Sequence, residues 1–325
     1  MLGYARIARE SHLPALLRSE NAEFAALASR DPAKLADSRA RFGSAHRCHA
    51  SYDALLADPA VDAVCIPLPN ALHCEWALRA MAAGKHVLCE KPMSLNAAEC
   101  EEMIAASRRH GVLLMEAFMY RFTTRTAALL EVLRSGALGE IRFIQSSFRF
   151  LLSNPASIKL RPELGGGALY DVGCYPVNLI GLVADHAAGG PGAAQPESVS
   201  VEALQEGGID TLFSALLRYP GGLVAALHTG FNAQRRIHSE IVGTKAALEI
   251  PDTFLDSAGS LTLVTGEERR EIPVASCERY RLQVEAFSAS ILDGRPAPLA
   301  PGESLRNARL MDRLRSAMHS RAELH

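Results

Sequence analysis

The sequence predicts an α/β protein of two domains. Residues 1–119 read as a doubly wound parallel sheet whose first strand is largely missing, and residues 120–325 as an α+β domain with an open, mostly antiparallel sheet. Three observations carry this. The first domain alternates short apolar runs with helical patterns of ten to thirteen residues, the rhythm of right-handed crossovers. The second recurs in runs of β-formers separated by tight-turn signals. A length of 325 residues is long for a single core.

In order, Glu23 to Ser29 reads as a strand, and a helix follows from Pro32 to Phe42, stopped by Gly43. Ser51 caps a short helix from Tyr52 to Ala57. Ala63 to Pro67 is a second buried strand, Ala71 to Ala83 a helix ended by Gly84, and Lys85 to Cys89 a third strand. Asn96 to Glu99 resembles a capping box opening a helix to His110, and Val112 to Glu116 is a fourth strand.

Past a helix from Thr126 to Ser135, β-rich runs are expected at Ile141–Phe150, Ser198–Leu204, Thr211–Tyr219, Leu223–Phe231, Arg236–Gly243, Ala246–Ile250 and Leu261–Thr265. Tyr219-Pro220-Gly221-Gly222 and Gly243-Thr244-Lys245 are turn signals that favour hairpins. Ala187 to Pro196 reads as a flexible surface loop without chemistry. Two helices, Arg279–Leu292 and Glu303–Ser320, close the chain, the last a candidate to dock back on the first domain.

Hydrophobic residues make up 48% and charged ones 22%, with a net charge of −2 and no basic run. This balance argues against nucleic-acid and membrane-surface partners and for small molecules. Seven scattered cysteines without C-x-x-C spacing read as reduced thiols, hence a cytoplasmic protein. His46-Arg47-Cys48-His49 reads as a polar surface loop; a zinc site needs three or four converging ligands, so no metal is expected. No signal peptide is apparent, and no apolar stretch approaches the ~20 residues of a membrane span.

Gly3-Tyr4-Ala5-Arg6-Ile7-Ala8 has the spacing of a dinucleotide-binding turn, with alanine in the second and third glycine places. Gly3, Ala5, Arg6 and Ile7 are therefore candidate cofactor contacts. Only Met1 and Leu2 precede the turn, where a strand of about five or six residues belongs. Two ladders should be left unpaired, so either the start is assigned too late or the cofactor site is compromised.

After the next strand come Ser29-Arg30-Asp31-Pro32-Ala33-Lys34. A guanidinium holds a 2′-phosphate as a rigid fork, so Ser29, Arg30 and Lys34 favour NADP, while Asp31 leaves NAD open. Lys91, in Cys89-Glu90-Lys91-Pro92, lies where a buried strand leaves the carboxyl edge of the sheet, the ligand-binding edge of such folds. Asp171 and Tyr175 in Gly165-Gly166-Gly167-Ala168-Leu169-Tyr170-Asp171-Val172-Gly173-Cys174-Tyr175-Pro176 are four apart and share a helical face. Lysine, aspartate and tyrosine are the parts of a proton-transfer site.

Together with Glu116 to Phe122 (EAFMYRF), these segments resemble the glucose-fructose oxidoreductase, inositol dehydrogenase and MocA-like family over nearly the whole chain. The resemblance implies an N-terminal Rossmann domain and hydride transfer between NAD(P) and a sugar, polyol or cyclic diol. It also implies a C-terminal sheet that pairs subunits into a homodimer or larger homo-oligomer. Tyr175, where inositol and amino-sugar dehydrogenases carry histidine, is similar to the branch of dimeric dihydrodiol dehydrogenase and NADP-dependent D-xylose dehydrogenase. The expected roles are Tyr175 as general acid/base, Lys91 tuning it and binding the reacting oxygen, and Asp171 orienting substrate or lysine, although Asp171 could equally cap its own helix.

The resemblance also places Pro69, Asn70 and His73 on the dinucleotide, with helix packing the alternative for His73, and Glu90 on the nicotinamide ribose. Arg121 could face the substrate, but Thr123-Thr124 departs from the family's usual continuation. Trp76 reads as core. Two other readings stand beside the dehydrogenase: a non-catalytic NAD(P)-binding regulator, and a glycosidase using held NAD, whose relatives typically place histidine at the position of Tyr175.

Overall fold

A computed structural model describes residues 1–322 and divides them into two compact units. The first comprises Met1–Ser94, Ala98–Met119 and Glu278–Pro301. After the turn at Gly3, a π turn (Ala8–His12) leads into α1 (Leu13–Arg18). Then follow β1 (Ala26–Ala28), α2 (Pro32–Phe42), β2 (Arg47–His49), α3 (Tyr52–Leu56), β3 (Ala63–Ile66), α4 (His73–Ala82), β4 (His86–Glu90), α5 (Ala97–His110) and β5 (Leu114–Ala117). α2 starts where Asp31 accepts the Ala33 N–H and ends at Gly43, whose φ of 79° suits glycine. Ser51 caps α3 by accepting the Ala54 N–H. α8 (Arg279–Leu292) packs on α1, with Arg18 paired to Glu278.

The parallel strands form two groups, β2-β1 and β3-β4-β5. Between them lie Met1 to Gly3. Leu2 donates to Cys65 O at 3.0 Å, Gly3 to Ala28 O at 2.9 Å, and Ala28 back to Met1 O at 3.0 Å. A single bridge, Leu2 to Ala28, thus stands in for the expected strand. Beside Met1, a cavity of about 590 Å³ opens between Phe24–Ala26 and Ala63–Cys65. The Met1 amino group also donates to Ala26 O at 2.8 Å, so the edges expected to lack a partner are met in part by Met1 to Gly3.

Arg47–His49, expected as a surface loop, is instead strand β2. Its polar sequence hides a tertiary cause. Asp58, 6% exposed, accepts from Arg47 at 2.5 Å and from the Ala60 N–H at 2.9 Å, and lies 3.0 Å from His49 Nε2. His46 is buried against Phe24, their ring centroids 4.3 Å apart, and bonds Ser38. The Ala60 N–H, Arg47 and His49 hold the Asp58 pKa down at about 2. A depressed carboxylate stabilises the fold above its unfolded pKa near ~3.9 and loses that contribution as pH falls through about 2. Asp58→Asn should therefore melt earlier than the parent at neutral pH, with the gap closing between pH 4 and 2. Thermal scans across that range check it, and a constant gap refutes the assignment.

Among the described residues, the second unit comprises Leu95–Ala97, Tyr120–Cys277 and residues 302–322. It carries α6 (Thr124–Arg134), β6 (Ile141–Leu151), α7 (Cys174–Ala188), β7 (Ser198–Glu206), β8 (Ile209–Arg218), β9 (Val224–Gly230), β10 (Asn232–Gly243), β11 (Ala247–Pro251), β12 (Gly259–Thr265), β13 (Glu268–Val274) and α9 (Pro301–Ala322). The eight strands run β13-β12-β11-β10-β6-β9-β8-β7, antiparallel except where β6 meets β9. The mostly antiparallel sheet is as the turn signals predict. β13, charged and on the sheet's edge, shows no strand pattern in sequence.

α7 packs on β6 and β9. The stretch Pro162–Ala188 that contains it is long and apolar enough to cross a membrane by length and composition, contrary to the sequence expectation, but 89% of its apolar window is buried. It is a core helix. Its Asp185 pairs with buried Arg306 and accepts N–H bonds from Gly192 at 2.6 Å and Ala194 at 2.9 Å. The loop expected to be flexible is therefore tied down.

Candidate active site

The candidate cofactor turn centres on Gly3. Gly3 has φ 93°, and a Cβ there would come within 2.8 Å of Leu68 and 3.3 Å of the Tyr52 hydroxyl. The positive φ is what favours glycine there, as in dinucleotide-binding turns. Ala5 and Ile7 are half-buried, and Arg6 is exposed with Glu10 at 3.6 Å. At the end of β1, the buried Ser29 Oγ accepts the Asp31 N–H at 3.2 Å, and Asp31 is engaged as the cap of α2. Arg30 and Lys34 are exposed.

Pro69 and Asn70 open a 3-10 turn (Asn70–Leu72) beyond β3. His73 is wholly buried, with Nδ1 2.8 Å from Pro92 O and Nε2 2.8 Å from Leu68 O. A neutral ring donates to one carbonyl at a time, and burial pushes its pKa down. Its two nitrogens face backbone carbonyls of the β3 loop and the lysine loop, so whichever tautomer it adopts His73 bonds one of the two. Trp76, expected in the core, is half-buried, edge-on to Tyr52 at 4.8 Å with Arg79 over its ring at 4.7 Å.

Lys91 leaves the carboxyl end of β4 on a loop held from three sides. His73 grips Pro92. Buried Glu116, on β5, accepts the Met93 N–H at 2.9 Å. Glu90, 8% exposed, lies 2.6 Å from His12 Nε2 through Oε1 and accepts the Lys91 N–H at 3.2 Å through Oε2. The sequence reading missed the roles of His12 and of Glu116, although Glu116 opens the EAFMYRF segment. Each acts through the fold, 78 and 23 residues from its partner, with no local motif to announce it.

In the second unit the glycine run makes room for a crossing segment. Gly166 and Gly167 donate to Arg161 O and Lys159 O, both at 2.9 Å, and a Cβ on Gly166 would lie 2.6 Å from Lys159 O. This places Lys159 in an ion pair with Asp171, which lies inside the π turn (Leu169–Gly173) opening α7 rather than at a cap. Asp210 accepts the Leu169 N–H at 2.6 Å, and burial pushes its pKa up to about 7.

Tyr175, 4% exposed, lies in the first turn of α7. Phe148 and Phe254 stand 5.3 Å from its ring and Tyr120 6.1 Å, and the Tyr120 hydroxyl donates to Asn178. Arg121 pairs with Glu303 of α9 at 2.7 Å, both nearly buried. The sequence brought out neither Lys159 nor this aromatic enclosure. Among the described residues, no three or more His, Cys, Asp or Glu side chains are grouped to hold a metal.

Comparison with known proteins is consistent along the chain. Residues 1–118 match the model of the oxidoreductase family with an NAD-binding Rossmann fold, and 126–249 match the GFO/IDH/MocA C-terminal domain. An uncharacterized oxidoreductase of Rhizobium meliloti is 40% identical, the alignment covering 92% of this chain and 90% of that protein. A D-xylose 1-dehydrogenase (NADP(+)) of Haloferax volcanii is 34% identical over 96% and 94%. A solved 3-ketoreductase from Actinomadura kijaniata, in complex with NADP and TDP-benzene, superposes with a TM-score of 0.89 at 30% identity, covering 98% of this chain and 96% of that one.

Proposed function

Because the chain belongs to the GFO/IDH/MocA oxidoreductase family, we propose that it moves hydride between NADP(H) and a CH–OH or carbonyl carbon of a sugar, polyol or cyclic diol. The observation that carries this reading is the lysine loop. Lys91 stands at the ligand-binding edge of a parallel sheet, on backbone fixed by His73, Glu90 and Glu116. Such pinning of a partly exposed lysine suits a group that must hold a developing oxyanion without reorganising.

The residues of the Gly3 turn would receive the pyrophosphate, Ser29, Arg30 and Lys34 the adenosine ribose and its phosphate, and Pro69 and Asn70 the dinucleotide further along. Bound there, the nicotinamide would take or give the hydride. In the oxidative direction Tyr175 accepts the hydroxyl proton as the carbon gives up hydride, and Lys91 steadies the oxygen. Asp171 and Lys159, paired, offer a carboxylate and an ammonium to substrate hydroxyls, and Arg121 borders that unit's substrate-binding part. The relatives' names support sugar-related substrates.

Asp31 supports NADP over NAD, since its carboxylate is engaged as a helix cap beside the exposed Arg30. Arg30→Ala should lower kcat/KM for NADPH about 10- to 100-fold, the worth of a charged hydrogen bond, and leave NADH nearly unaffected. Equal losses with both cofactors would move the 2′-phosphate elsewhere. The reading as a whole is tested by assaying aldoses, polyols and diols with each cofactor. Steady NADPH formation with a free sugar or diol supports it; tight NADP binding without turnover of any of them refutes it.

A further inference from the structure

We propose that His12 is a positioning residue, which ties the helix of the dinucleotide turn to the lysine loop by holding Glu90 and, through it, the backbone of Lys91. His12 closes the π turn that follows Gly3 to Ile7, and its side chain is wholly buried. Nε2 lies 2.6 Å from Glu90 Oε1, and Nδ1 lies 3.6 Å from the Cys65 thiol. The Tyr280 ring, 5.1 Å away and edge-on, closes the remaining side. Glu90 then spends its second oxygen on the Lys91 N–H at 3.2 Å. Two segments distant in sequence thus meet in one chain of polar contacts, from His12 below the Gly3 turn through Glu90 to the Lys91 backbone.

Electrostatics favours a charged pair. Burial pulls the His12 pKa down, but Cys65 and Glu90 outweigh it and push it up to about 10. Burial raises Glu90, yet His12, with Lys91 and His73 also facing it, brings its pKa below the ordinary carboxylate value. An ion pair removed from water holds its geometry tightly, and losing one partner strands the other. That is what the placement of a catalytic ammonium requires, where an error of about 1 Å can cost about 100-fold in rate. A purely architectural pair would need no contact with Lys91, whereas this one ends on its backbone.

The inference rests on Lys91 acting at the reacting oxygen, so Lys91→Ala serves as the reference. His12→Gln, Glu90→Gln and the double variant, as full-length protein, are assayed with NADPH and the best substrate of the panel, alongside melting temperatures. Each single variant should lose about 10-fold or more in kcat with substrate KM within about 3-fold, and the double variant should lose no more than the worse single, because both cut one chain. Losses that multiply, or a folded His12→Gln with parental kcat, overturn it. Should His12→Gln fail to fold, Glu90→Gln decides alone, parental kcat again overturning it. If Lys91→Ala keeps its rate the functional reading itself falls; if Lys91→Ala is inactive while the other variants are not, only this inference does.

Discussion

Tyr175→Phe is expected to lower kcat about 10²- to 10⁴-fold, the span contributed by a positioned general acid or base, while NADP binds as before. Phenylalanine is the informative replacement because the tyrosine ring is held by Phe148, Phe254 and Tyr120. The substitution removes one oxygen and keeps those ring contacts, so the fold should tolerate it. Steady-state rates, fluorescence titration of NADP and a melting curve separate the effects. A kcat within 3-fold of the parent would remove Tyr175 from the chemistry.

Lys91→Ala should be nearly as damaging, about 10²- to 10³-fold in kcat, by analogy with deleting one donor to a developing oxyanion. The loop itself should survive, since His73, Glu90 and Glu116 hold it through contacts with its backbone, which the substitution leaves in place. Lys91→Arg should restore little, because a planar fork does not replace a compact ammonium. Substantial activity in the arginine variant, measured under the same assay, would mean that charge alone matters at this position and that the pinned geometry does not.

Local chemistry made much of this fold legible. Pro32 opening a helix and Gly43 closing it, Ser51 as a cap, and Gly84 after a helix are all read from neighbours in sequence, and each stands where expected. What escaped depends on partners far along the chain. Arg47-Cys48-His49 is polar and becomes a strand because β1 pairs with it and Asp58 gathers its side chains. Motif spacing gave the residue types of the candidate site, including Lys91 and Tyr175. It could not give His12 behind Glu90 or Lys159 beside Asp171, because burial and charge pairing are settled only when distant segments meet.

The sheet of the first unit is divided, with β2-β1 on one side, β3-β4-β5 on the other, and Leu2 as the bridge between. Such a joint is a natural seam for local opening. The proposed cofactor contacts fall on both sides of it: Ser29 and Arg30 follow β1, while Asn70 and Lys91 follow β3 and β4. A dinucleotide held by both groups acts as a clamp across the seam, so its binding energy is also folding energy. By mass action, cofactor at about 100 times its Kd adds about 2.7 kcal/mol to the closed form. Held through those proposed contacts, the cofactor would stabilise the fold as well as serve the reaction.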